Sequence, residues 1–164
     1  MIFVTVGTHE QGFDRLIKKL DQLKEKGLIK QEIVIQKGYT EYAPKYCQAQ
    51  KFYSPVEMNE LFKDAKLIIT HGGPATYMSA IALGKPTIVV PRLRKYNEHV
   101  NNHQLDFAYK VNETGEYNLN IVTEMSELYK MIDFCLNRQN KQGQITSHTQ
   151  SFNSQFSHIL ESLL

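Results

Sequence analysis

The sequence predicts a single α/β domain built on a parallel, doubly wound, Rossmann-like sheet. Three observations predict it. Short apolar runs rich in Val and Ile are nearly continuous, as in strands covered on both faces. Longer stretches with helical spacing separate them, and such alternation gives parallel strands joined by right-handed crossovers. The chain has 164 residues, room for one such domain but not for two.

The predicted strands are Ile2 to Val6, Glu32 to Gln36, Lys51 to Tyr53, Leu67 to Thr70 and Thr87 to Val90, with a weaker one from Leu119 to Val122. Phe13, Leu16, Ile17, Leu20 and Leu23 recur at helical spacing, and Gly27 ends that stretch. Further helices are predicted from Pro55 to Lys63 behind Ser54, from Pro74 to Leu83 before Gly84, from Glu98 to Lys110 and from Glu124 to Asn137. The domain closes near residue 140. Asn137 to Ser151 is rich in Gln, Asn, Ser and Thr and reads as a surface linker. Phe152, Phe156, Ile159, Leu160, Leu163 and Leu164 then mark one face of a final helix within 141–164. That helix has two readings, folded back on its own core or docked on a partner.

Bulk composition narrows the function. The net charge is +2, with 41% hydrophobic and 22% charged residues, which gives no electrostatic footprint for nucleic acid. Cys47 and Cys135 fit neither a disulfide framework nor metal-ligand spacing. Met1 runs straight into Ile2-Phe3-Val4 without the basic and apolar regions of a secretion signal. No apolar run approaches the roughly 20 residues that span a bilayer. The expectation is a cytoplasmic protein whose membrane contact is peripheral, through a partner.

The chemistry concentrates at strand ends. Leu67-Ile-Ile-Thr-His71-Gly72-Gly73-Pro74-Ala75-Thr76 runs from a buried strand through two glycines into a helix. A helix start leaves backbone N–H groups unpaired and carries partial positive charge, and glycine lets an anion approach closely. Taken alone, phosphate binding and a plain structural turn explain this segment equally well. It is neither a P-loop nor a dinucleotide fingerprint. Gly7-Thr8-His9-Glu10-Gln11-Gly12 makes a second strand-to-helix turn, and two turns facing one ligand favour a diphosphate. A third cluster, Pro91 to Gln104, is dense in carboxylate, amide and imidazole groups suited to sugar hydroxyls.

His71-Gly-Gly-Pro-Ala-Thr76, Ala82-Leu-Gly84-Lys-Pro86, Val90-Pro91-Arg92 and Glu98-His99 through His103-Gln104 resemble the C-terminal, donor-binding domain of family 28 glycosyltransferases. Val6-Gly7-Thr8 with Phe13-Asp14 adds to the resemblance, which spans about Met1 to Lys110. It is strongest to single-domain members of two kinds. One is the exopolysaccharide and capsule half-enzymes; the other is the catalytic subunit that adds GlcNAc to a dolichol-linked sugar. The resemblance implies the C-terminal half of a GT-B fold, a UDP-sugar co-substrate, no cofactor and no metal.

It also implies roles for individual residues. Gly7, Thr8, His9, His71, Gly72, Gly73, Ala75 and Thr76 would surround the diphosphate, and Glu98, His99, His103 and Gln104 the donor sugar. Tyr53 and Met58 would lie near the base. Ser79 stands where many relatives carry a ribose-binding glutamate, which puts ribose recognition in question. His9 and His71 are candidate catalytic groups, though neither is assigned as the base, and a turn role for His9 stays open. The reaction implied is an inverting transfer of a hexose (galactose, glucose or N-acetylglucosamine) to a polyprenyl-diphosphate-linked sugar. The acceptor would be carried by a separate, membrane-anchored, Rossmann-like subunit. A non-catalytic subunit retaining the fold and an NDP-sugar epimerase-like protein are the alternatives.

Overall fold

The computed structural model describes residues 1–113 and 119–139. Six strands form one parallel sheet: β1 Ile2–Thr5, β2 Ile33–Gln36, β3 Gln48–Gln50, β4 Leu67–His71, β5 Thr87–Val90 and β6 Asn120–Ile121. Their order is β3-β2-β1-β4-β5-β6, with every pairing parallel. The order reverses between β1 and β4, and in open α/β sheets ligands bind at such a switch point, beyond the carboxyl ends of the strands.

Alternation along each strand sends side chains to two helical layers. Ile2, Val4 and Val6 of the first strand and its exit pack with Leu16, Ile17 and Leu20 of α1 (Asp14–Glu25) and with Leu128 and Ile132 of α5 (Leu128–Gln139). Phe3 points the other way, onto Phe62 of α2 (Pro55–Asp64) and Ala80 of α3 (Pro74–Ala82). Val89 meets Tyr77 of α3 and Ala108 of α4 (His103–Glu113) on that same side. Ser54 caps α2 reciprocally with Glu57, as its position before Pro55 led one to expect.

Several boundaries differ from the sequence expectation. The third strand is Gln48–Gln50, not Lys51 to Tyr53, and all three of its residues are exposed. It is a polar edge strand held by backbone pairing to β2, so hydrophobicity could not mark it. Helix α4 begins at His103, not Glu98. Asn97 adopts a left-handed conformation (φ 55°) and breaks the chain there. Helix α5 begins at Leu128, after a turn in which the Glu127 amide donates to the Glu124 carbonyl at 3.0 Å. It also runs to Gln139, two residues past the predicted helix end at Asn137. The rest of the predicted linker and the amphipathic segment Phe152 to Leu164 lie outside the described residues.

Candidate functional site

Three loops meet beyond the carboxyl ends of β1, β4 and β5. A buried arginine organises them. Arg92, just past β5, has no exposed surface, and its guanidinium donates to four carbonyls. Nη1 reaches Gln11 (2.7 Å), Gly12 (3.0 Å) and Glu98 (3.2 Å), and Nη2 reaches Val6 (2.9 Å). The loop after β1 is thereby wrapped around a fixed cation, which also stacks 4.9 Å from the Phe13 ring. Burial lowers the Arg92 pKa to about 10, with Glu98 opposing the shift.

Glu98 supplies the counter-charge. Its Oε1 accepts from Arg15 Nε at 2.8 Å and its Oε2 from the Leu93 amide at 3.0 Å, and the residue is 4% exposed. Arg15 continues the lattice, donating to the carbonyls of Pro91 and Thr123. The sequence expectation set Glu98 against donor-sugar hydroxyls. Instead, both carboxylate oxygens are engaged inside the protein, because two buried or half-buried guanidiniums require the negative charge.

The β4 turn is built around His71. Its ring lies between glycines of two different loops. A Cβ added at Gly7 would stand 2.6 Å from the imidazole, and one at Gly73 would also collide with it. Gly7 additionally needs its φ of +76°. Burial, and next the neighbouring Arg92 charge, push the His71 pKa down to about 4, so the ring is neutral near pH 7. Its Nδ1 is buried, and the Thr5 backbone beside the ring partly opposes the downward shift.

The Gly72 amide was expected to face the ligand. It donates instead to Gln104 Oε1 at 3.0 Å, and the same oxygen accepts the Arg92 amide at 3.1 Å. Gln104 thus fixes the turn through its side-chain oxygen. The opening lies one residue later. Gly73 is the N-cap residue of α3 and no side chain caps the helix. The first bonds into this helix start run from the Thr76 and Tyr77 amides to the Gly73 carbonyl, so earlier amides lack an intrahelical partner. A recess of about 470 Å³ lies against this end, lined by Gly72, Gly73, Pro74, His99, His103 and Gln104 and by one face of α4.

The remaining expected residues divide clearly. His9 and His99 come together, with ring centroids 4.8 Å apart. Each Nδ1 accepts an amide of its own loop, from Gln11 at 3.2 Å and Asn101 at 3.4 Å, which leaves Nε2 to carry the proton in the neutral form. Burial, Arg92 and His99 lower the His9 pKa. Thr8 and Ala75 are exposed, and Thr76 is half-buried in the first turn of α3. Tyr53 and Met58 pack against the cluster formed by Phe3, Phe62 and Ala80, and neither lines the recess. Ser79 is exposed and donates its hydroxyl to the Ala75 carbonyl at 2.8 Å. Among the described residues no group of His, Cys, Asp and Glu side chains forms a metal-binding cluster.

Arg92 and Arg15, which hold the three loops together, carried no role in the sequence reading. Arg92 is followed by Leu93, Arg94 and Lys95, a run that looks like a solvated basic loop. The available signal was its place directly after a buried strand and Pro91.

Comparison with known proteins agrees with this architecture. The family model described as "Glycosyltransferase family 28 C-terminal domain" matches residues 1–163. The UDP-N-acetylglucosamine transferase subunit ALG13 of Mus musculus is 31% identical over 124 residues, covering 69% of this chain and 10% of that protein. The chain therefore spans about a tenth of that relative's length. Among solved structures, the kitacinnamycin glycotransferase superposes with a TM-score of 0.60 at 16% identity, over 82% of this chain and 34% of its own. The glycosyltransferase SnogD from Streptomyces nogalater gives 0.50 at 20% identity, over 93% and 42%. At these identities the structural likeness speaks for the fold. The family match covers nearly the whole chain, and this protein belongs to glycosyltransferase family 28, of which it carries the C-terminal domain.

Proposed function

We propose that this chain is the donor-binding subunit of a two-component, inverting glycosyltransferase. It would take a hexose from a UDP-sugar and transfer it to a polyprenyl-diphosphate-linked sugar in exopolysaccharide or capsule assembly. The observation that carries the reading is the uncapped start of α3 at Gly73–Pro74, open to a recess and backed by a neutral His71. A diphosphate placed there meets unpaired amides and the positive end of the helix dipole.

In the reaction the acceptor oxygen attacks the anomeric carbon as the bond from that carbon to the diphosphate breaks. The bond electrons leave with the UDP, and the fixed amides stabilise the growing charge. The acceptor hydroxyl proton passes to a general base that we place on the acceptor half. The described residues form one Rossmann-like unit, the donor half of the enzyme in this reading, and the mouse relative is named a subunit; we assign the acceptor to a second, membrane-anchored polypeptide. No helix among the described residues is long and apolar enough to cross a membrane, and the membrane association proposed for this chain runs through that partner. The mouse relative is named a UDP-N-acetylglucosamine transferase subunit. UDP-N-acetylglucosamine is therefore the first donor to try, beside UDP-glucose and UDP-galactose.

The test is reconstitution with the acceptor-binding subunit, a radiolabelled UDP-sugar and a lipid-linked acceptor. Label should reach the lipid fraction only when both polypeptides are present. Ser79, its hydroxyl turned back onto its own helix, favours a second reading, a partner-stabilising subunit without catalysis. That reading predicts equal transfer when the Gly73 turn is blocked by substitution.

A further inference from the structure

The recess at the start of α3 continues onto one stripe of α4. His103, Asp106, Phe107 and Lys110 all line it, at the i, i+3, i+4, i+7 spacing that puts residues on one helical face. Phe107 is a large ring left 45% exposed. Asp106 and Lys110 form no ion pair with another described residue. An aromatic face, a carboxylate acceptor and an ammonium donor on one wall are complementary to a pyranose, which has apolar C–H faces and a rim of hydroxyls.

Charge fixes the orientation. A carboxylate beside a diphosphate would repel it, whereas the sugar carries no charge. The anion therefore belongs at the Gly73 end of the recess and the sugar on the Asp106 side. We propose that Asp106, Phe107 and Lys110 form the sugar-selecting wall of the donor site. Phe107 lies under the hexose ring, Asp106 accepts from its hydroxyls and Lys110 donates to them. The inference rests on the donor-binding reading above.

Asp106 also sits in the first turn of α4, where a carboxylate stabilises a helix whatever the ligand. The experiment must separate that effect from recognition. Titration calorimetry of the full chain with UDP, UDP-N-acetylglucosamine, UDP-glucose and UDP-galactose does so, for wild type, D106N, F107A, F107Y and K110M. The expected result is UDP affinity within about twofold of wild type in every variant. The affinity of the preferred UDP-sugar relative to UDP should fall about tenfold in D106N and F107A and recover in F107Y, with the order of the three sugars altered in D106N. Sugar-to-UDP ratios unchanged in all variants, or UDP and UDP-sugar weakened equally, would overturn the sugar wall while leaving the donor reading in place. A wild-type chain that binds no UDP would overturn both.

Discussion

The Gly72 amide and the Gln104 side chain are joined across 32 residues by a 3.0 Å hydrogen bond that ties the exit of β4 to the first turn of α4. The two residues are so close that a Cβ on Gly72 would stand 2.6 Å from that of Gln104. Replacing Gln104 with Ala leaves the Gly72 and Arg92 amides without their shared acceptor. Denaturant unfolding should show a loss of about 1–3 kcal/mol, the usual cost of stranded buried donors. The same variant should bind UDP more weakly, because the glycine turn loses its anchor.

Arg92 and Glu98 should behave as parts of the framework. Glu98→Gln removes the negative charge held against Arg15 and Arg92 while nearly keeping shape. A loss of about 3–5 kcal/mol in unfolding free energy is expected, the range for breaking a buried pair. A residue that only touched sugar would change donor affinity and leave the melting temperature alone, so calorimetric melting distinguishes the two roles.

His71 predicts a pH dependence. Its folded pKa is about 4, below the ordinary value of 6.5, so the unfolded chain takes up a proton first as pH falls. Stability from this group is complete above about pH 6.5 and declines between there and about pH 4, by up to roughly 3 kcal/mol. Urea unfolding at pH 7, 6, 5 and 4 should show this slope, and His71→Gln should flatten it.

Asp21 adds a second, lower window. Burial works against its charge, but donation from the Lys45 and Tyr46 amides and the Tyr42 hydroxyl outweighs it and lowers the pKa. The sign is that of a depressed carboxylate: its contribution is present above about pH 4 and lost as pH falls below. Asp21→Asn should destabilise the protein at neutral pH, and the difference from wild type in urea midpoint should shrink below pH 4.

Central strands and glycine turns were legible because burial on both faces leaves only apolar choices, as in Leu67 to Thr70, and because His71-Gly72-Gly73-Pro74 joins a strand to a helix in one short pattern. The edge strand Gln48–Gln50 was hidden, since backbone pairing alone defines it. The start of α4 was misread as Glu98 because Glu98 to Gln104 is polar apart from the exposed Val100. Asn97, which tolerates the left-handed conformation, and Asn101, whose side chain accepts from the His103 amide at 3.1 Å, were the signals that mark the true start. The glycines and imidazoles at the strand ends stand out in the sequence, whereas the arginines packed behind them do not, because a buried arginine and a solvated one look alike in sequence.

The donor-binding account stands most directly on UDP binding by wild type and Gly73→Val, measured by titration calorimetry at pH 7. The substitution drives a side chain into the His71 ring at the mouth of α3, so wild type should bind UDP and the variant should lose at least about tenfold in affinity while still melting cooperatively. Equal UDP affinity in the two folded proteins would contradict it.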